Sequence, residues 1–503
     1  MKRRWIPFAP QSLIDWNSSS ELTYNIKTLL FRGSNNLHDK KQRTKLIEDL
    51  SRPDLSVTTM LFDGIRFELN IMEDIVKILS TNPRIKKLRF TACDIPDACF
   101  NRFCKGLESS QLEILELDTF LSTNGQLRAL AAALKNNRTV KKFKLKNQSI
   151  NSAETMKYIR NILKYSHSIT SFKLWTGSDL NPHLKYLARL IRRDKLKHLT
   201  IRNNKIQLDE LKKAFESCIL LQSLEFRSKS TNYALLGEIL QTNKSIKRLK
   251  LDGSFMTNSS IIDLKLSTNT SLEYLSVVSC SPETGTTLFS ELKSNRTLKS
   301  LRFATNAAER NESLDLEALQ NFLEENKTLM ELNLPAVSYS NPFTSVYLSN
   351  GLKDNTTLRK LSFYLAGEAI TDKIVYFIQE LQYNRGLTHI NLGPILGVKR
   401  VPDPIMEALI DLGHVNKTLR WIDGTENNVE IQECLAKNRH EQDFIITNTC
   451  TLIKMILMKP NSFILPIEVW SNIFKYASYS FVPFDFEEFF HYGKITLRSS
   501  VFS

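Results

Sequence analysis

One string keeps returning along this chain: Leu-x-x-Asn-x-Ser/Thr-Leu-x-x-Leu-x-Leu. It reads NKSIKRLKL from Asn243, NTSLEYLSV from Asn269, NRTLKSLRF from Asn295, NKTLMELNL from Asn326 and NTTLRKLSF from Asn355. Aligned on the apolar pattern h-x-x-h-x-h, it defines fifteen units. They start at Ile26, Val57, Ile85, Leu112, Val140, Ile169, Leu196, Leu221, Ile246, Leu272, Leu298, Leu329, Leu358, Leu387 and Leu419, 25 to 32 residues apart. A unit this short cannot bury its own leucines, so neighbours must stack and share one interior. Each unit opens with a short strand whose period-two alternation buries the two later apolar positions. A helical stretch follows, as in EALQNFLEENKT, with apolar residues three and four apart.

Nine of the fifteen units carry Asn three residues before the strand start: Asn82, Asn137, Asn243, Asn269, Asn295, Asn326, Asn355, Asn384 and Asn416. Asn-x-Ser/Thr is also the N-glycosylation acceptor. The fixed position favours a local backbone demand over a sugar. There the helix must stop and turn back, and Asn tolerates the left-handed conformation that ends many helices. The Ser/Thr after it can satisfy a turn backbone group. A left-handed capping Asn is therefore expected, with the sequon a by-product.

On these residues the chain resembles leucine-rich repeats of the ribonuclease-inhibitor type, a group that includes the Ran GTPase-activating protein, tropomodulin and the NOD-like receptors. The resemblance covers about residues 20–424. It implies an α/β fold: a curved leucine-rich repeat solenoid with parallel strands on the concave face and helices outside. It divides the chain into an N-terminal cap (1–25), about fifteen repeats (26–424) and a small helical C-terminal cap or tail (425–503). The consensus Asn after the strand appears only as Asn204 and Asn306, with Cys93 and Cys280 as partial substitutes, so an irregular loop row is expected.

Strand residues between the buried positions should face the groove. In order they are Lys86, Lys87 and Arg89; Glu113, Glu116 and Asp118; Lys141, Lys142, Lys144 and Lys146; Lys173 and Trp175; Lys197, His198 and Arg202; Lys247, Arg248 and Lys250; Lys299 and Arg302; Arg359 and Lys360. With a net charge of +15 and a pI near 9.3, this face suits an acidic protein surface or a phosphorylated ligand. The partner-binding set is Lys87, Arg89, Lys142, Lys144, Lys173, Trp175, His198, Arg202, Arg248, Lys250, Arg302 and Lys360. Plain solvation of exposed strand positions explains the same lysines, and both readings stand. Nucleic acid is disfavoured because few aromatics, mainly Trp175, Tyr274 and Trp421, interleave the charges.

After Gly424 the repeat fades. ECLAKNR looks like a closing helix over the last repeat, and LPIEVWSNIFKYAS from Leu465 resembles the first helix of an F-box. That motif docks on the Skp-type adaptor of a ubiquitin ligase, and Leu465, Pro466, Val469, Ile473 and Phe474 would dock here, in a helix over 465–477. A capping helix is the alternative. The sequence that follows does not resemble the rest of an F-box. The combination of repeats, F-box-like string and FEEFF near the end resembles type IV-secreted effectors of intracellular bacteria such as Legionella.

No apolar run reaches the ~18 residues of a membrane span, and MKRRWIPFAP makes a poor signal peptide. Seven scattered cysteines imply free thiols in a reducing cytosol, including a host cytoplasm after secretion. No zinc spacing, phosphate loop, HExxH or GxSxG occurs. No cofactor, metal, catalytic residue or small-molecule substrate is expected. The sequence thus points to a non-catalytic protein-binding scaffold, a secreted effector gripping a host protein. The alternatives are a ubiquitin-ligase adaptor and a Ran-type GTPase activator, for which Arg89, Arg202 and Arg227 are the arginines by position.

Overall fold

The computed structural model describes residues 13–15, 27–33, 40–51, 56–118, 123–146, 153–176, 179–192, 195–203, 206–227, 232–252, 256–305, 315–334, 344–363, 371–391, 403–423, 425 and 428–440. The chain divides into two compact units, Met1–Asn341 and Pro342–Ser503.

Short strands alternate with helices in both units. The first unit holds β1 (Leu13–Asp15), β2 (Thr28–Arg32), β3 (Thr59–Asp63), β4 (Lys87–Thr91), β5 (Ile114–Asp118), β6 (Lys142–Lys146), β7 (Ser171–Trp175), β8 (His198–Arg202), β9 (Ser223–Arg227), β10 (Arg248–Asp252), β11 (Tyr274–Cys280), β12 (Ser300–Thr305) and β13 (Glu331–Leu334). The second holds β14 (Lys360–Phe363), β15 (His389–Asn391) and β16 (Trp421–Asp423). From β1 to β13 each strand pairs in parallel with the next. The same holds from β14 to β16. Each unit is thus an α/β leucine-rich-repeat solenoid. The strand β1 falls inside the segment expected to be a cap.

The register explains the spacing of the motif. Leu88, Leu115, Phe143, Phe172, Leu199, Leu224 and Leu249 align across successive strands. All are buried, and each contributes on the order of 1.5–3 kcal/mol through burial. A one-residue slip would turn every one of them outward. The helices close the interior from the other side. Leu69–Thr81 buries Ile71, Met72, Ile75, Ile78 and Leu79, an i, i+1, i+4, i+7, i+8 stripe along one helical face. Phe31, Phe62 and Phe90 stack across β2, β3 and β4 with centroids 4.8 and 5.4 Å apart. Among the described residues no helix is long and apolar enough to cross a membrane.

The repeated asparagines are not left-handed caps. Asn137, Asn243, Asn269, Asn326 and Asn384 are all extended, with φ between −69° and −81°. What selects Asn is its side chain. Asn243 Nδ2 donates to the Phe215 and Cys218 carbonyls of the preceding unit at 2.6 and 2.8 Å. Its Oδ1 accepts the Ser245 and Ile246 amides at 2.8 and 2.9 Å. Asn137, Asn295 and Asn326 in the first unit, and Asn384 and Asn416 in the second, repeat the pattern. Asp would lack the donor, and Ser or Thr the second polar atom. The hydroxyl two residues on joins in: Ser245, Thr297 and Thr328 each donate to a carbonyl of the preceding unit. All nine recurring asparagines, seven of them in Asn-x-Ser/Thr, are buried, so the folded chain offers them to no glycan.

Among the described residues, left-handed backbone occurs instead at Lys265, after the helix Asn258–Asp263, at Ser279 within β11, and at three strand ends. Gly33, Gly64 and Ala92 follow β2, β3 and β4 with φ of 68°, 68° and 51°. Their amides continue the ladder to Asp63, Thr91 and Asp118. Asn204 and Asn306, expected in this loop row, lie outside the described residues. Asn203 is buried there and donates Nδ2 to the Thr176 carbonyl. The Cys93 thiol bonds the Phe62 and Thr91 carbonyls, and burial pushes its pKa up to about 11. The closing helix spans 429–440, and its Asn438 adds one more rung by donating to the Asn416 and Leu419 carbonyls.

Candidate functional site

Strand positions one, three and five stand on the face away from the helices, and the register sorts their charges into rows. The third-position row runs Arg89, Glu116, Lys144, Lys173, Thr200, Glu225 and Lys250. The fifth runs Asp118, Lys146, Trp175, Arg202 and Arg227. The first runs Lys142, Ser171, His198, Ser223 and Arg248.

Two acidic centres bind up much of the expected basic surface. On β5, Glu116 pairs with Lys87 at 2.9 Å and Arg89 at 3.6 Å, while Asp118 pairs with Lys144 at 3.3 Å and Lys146 at 2.7 Å. On β9, Glu225 pairs with Arg202 at 3.2 Å and Arg227 at 3.1 Å and takes the Thr200 hydroxyl. A third row, just before the strands, does the same around Glu113 and Glu273, which bridge Lys86 to Lys141 and Lys247 to Lys299. The Glu225 centre was not read from the sequence. Its only signal is a glutamate at strand position three beside Arg202 and Arg227.

Between these centres lie basic groups of another kind. Lys142, Lys173, Lys197, His198 and Arg248 are exposed and have no acidic group within ion-pair distance among the described residues. Burial, then Lys142, Arg248, Lys197 and Lys173, hold the His198 imidazole below its ordinary pKa. Trp175 is flanked from β6 and β8 by Lys146 at 4.4 Å and Arg202 at 5.0 Å. Tyr274 carries the Arg248 guanidinium at 4.1 Å. Cations thus cover the aromatic faces a stacked base would need.

Of the expected face residues, Lys142, Lys144, Lys173, Trp175, His198, Arg202, Arg248 and Lys250 come together on β6–β10. Lys87 and Arg89 are drawn to the β5 rung. Arg302 is exposed on β12, in the row of Lys250 with Ser276 between. Lys360 belongs to the second unit, where His389 stacks on Trp421 and Arg439 lies 4.6 Å over the same indole. The F-box-like Leu465, Pro466, Val469, Ile473 and Phe474 lie outside the described residues.

The acidic centres make stability depend on pH. Burial alone would raise the Glu225 pKa, but Arg202 and Arg227 bring it below 4.5. At Asp118 burial is likewise outweighed, by Lys146 and Lys144. A lowered carboxylate pKa stabilises the fold fully above the unfolded value, and this contribution fades as pH falls through the folded one. The urea midpoint should therefore drop as pH is taken from 6 to 3. Glu225→Gln should start lower at pH 6 and show a shallower drop; an unchanged profile would show that the centre contributes nothing.

No protein-family model and no curated protein matches this chain. Among solved structures it is similar to the yeast Rad7–Elc1 complex, at 15% identity over 70% of this chain and 78% of that one, with a TM-score of 0.35. It is also similar to the TLR13–ssRNA13 complex, at 12% identity over 82% of this chain and 70% of that one, with a TM-score of 0.29.

Proposed function

We propose that the chain is a non-catalytic protein-binding scaffold that captures an acidic protein through the β6–β10 face of its first unit. One observation carries this reading: among the described residues Lys142, Lys173, Lys197 and Arg248 have no carboxylate within ion-pair distance and crowd the His198 imidazole, while Lys144, Lys146, Arg202 and Arg227 around them are paired with Glu or Asp. A face built only for solvation has no need to hold like charges together, a placement that also disfavours protonation of His198. A protein carboxylate surface relieves that repulsion and gains on-rate from it. The GTPase-activator reading is weaker. Arg89, Arg202 and Arg227, the arginines it would extend toward a nucleotide, are each tied to a carboxylate.

The finer reading is a secreted effector acting in a host cytoplasm, with the F-box-like string recruiting a Skp-type adaptor. It rests on the sequence of 465–477 and on thiols that suit a reducing compartment: Cys93, Cys99, Cys104, Cys218, Cys280 and Cys434 are not in disulfides. One purification from host-cell lysate tests both parts. Lys142→Glu, Lys173→Glu, Arg248→Glu and Lys250→Glu together should lower partner capture at least tenfold, and capture by the unaltered chain should weaken with salt. Unchanged capture moves the interface elsewhere. The adaptor should co-purify and be lost in Leu465→Ala/Pro466→Ala; its absence from the wild-type preparation ends the adaptor reading.

A further inference from the structure

We infer that the basic patch centred on His198 is a receptor for a phosphoryl group carried by the acidic protein partner. This deepens the scaffold reading and rests on it. The first-position row places Ser171 and Ser223 on either side of His198, with Lys142 and Arg248 one strand further out on each flank. The strand spacing of roughly 4.8 Å puts Lys142 and Arg248 about 10 Å from His198 on either side, and the small serines between them leave the flanks of the imidazole open to an oxyanion. Ser171 is buried and His198 exposed, and neither serine hydroxyl makes a hydrogen bond among the described residues. The patch therefore gathers two hydroxyl donors, one imidazole, the Lys142 and Lys173 ammoniums and the Arg248 guanidinium.

A phosphomonoester fits that set better than a carboxylate. It brings nearly two negative charges and three acceptor oxygens, against one charge and two oxygens. The Arg248 guanidinium stacks on Tyr274 of β11 at 4.1 Å, and on turning toward Ser223 it offers a planar fork that can grip two phosphoryl oxygens. Nucleic acid would supply phosphates too, but its bases would find the Trp175 and Tyr274 faces taken by cations.

Binding a dianion here also takes up a proton. His198 is surrounded by positive charge: Lys142 from β6, Lys173 from β7, Lys197 just before its own strand and Arg248 from β10. On β9, Glu225 is engaged by Arg202 and Arg227. A phosphoryl group beside His198 reverses the sign of the field at the imidazole and favours its charged form.

The probes are a blocked phosphoserine tripeptide, the same peptide with Ser or Glu in that place, and an oligouridine, each titrated while the His198 ring resonance is followed against pH. The phosphoserine peptide should saturate, raise the His198 pKa and bind at least about tenfold more tightly than the Ser and Glu forms. Lys142→Gln and Arg248→Gln should each weaken it about tenfold with the unfolding midpoint unchanged. Equal binding of the Glu peptide, no response of His198, or tighter binding of oligouridine would overturn the inference. If it fails while charge reversal still abolishes capture, the scaffold reading survives without it. If His198 responds while capture ignores the reversal, the scaffold reading falls and the anion site remains.

Discussion

Asn243→Ala should cost the first unit about 3–5 kcal/mol, read as a lower urea midpoint at unchanged slope. The change removes a buried amide and takes a hydrogen bond from four backbone groups: the Phe215 and Cys218 carbonyls and the Ser245 and Ile246 amides. Each buried group left unsatisfied costs about 1–3 kcal/mol. The Phe215 carbonyl keeps the Cys218 amide at 3.3 Å and the Cys218 carbonyl keeps the Ser245 hydroxyl at 3.1 Å, so the cost falls mainly on the two amides. Asn243→Asp should be no better than Ala, because a carboxylate would face two carbonyl oxygens where the amide had a donor. Ser245→Ala should cost about 1 kcal/mol, a single hydrogen-bonding hydroxyl. If Asp restored stability, the donor half of the amide would be shown to be idle, and the account of why Asn recurs would fail.

Gly237→Ala should be comparably severe for a different reason. Gly237 lies in the helix Tyr233–Thr242, and a Cβ there would run into the Asp263 backbone carbonyl at the end of the next unit's helix, Asn258–Asp263. A carbonyl cannot rotate aside as a side chain can, so the two units must separate locally, at a cost of about 3 kcal/mol. The same approach meets the place where the neighbouring helix breaks, with Lys265 left-handed at φ 52°. Gly125→Ala is the control. Its Cβ would meet nothing nearer than Thr123 Oγ1 at 3.5 Å, so it should be neutral or stabilise by up to about 1 kcal/mol. Equal effects at the two glycines would remove the packing argument.

Both tests concern features whose residue identity is plain in the sequence and whose cause is not. The recurrence of Asn was legible, yet its backbone was expected to be left-handed because that is a frequent way for a helix to end. The structure puts positive φ at Gly33, Gly64, Ala92, Lys265 and Ser279 and at none of the recurring asparagines among the described residues, and gives Asn a cross-unit role. No local rule could show this, since its carbonyl partners lie 25 to 35 residues away. The candidate face was legible as a set of cations on alternate strand positions. Which of them stay uncompensated was not, because an ion pair such as Lys144 with Asp118 depends on which strands are adjacent.

The sequence by itself determined the repeat, its period, the alternation of strand and helix, and which leucines are buried, because these follow from apolar spacing within one unit. Only the tertiary structure decided how one unit's polar groups serve the next. The amide ladder, the Glu225 and Asp118 centres and the basic patch at His198 all arise from lateral register, and register exists only once separate strands lie side by side.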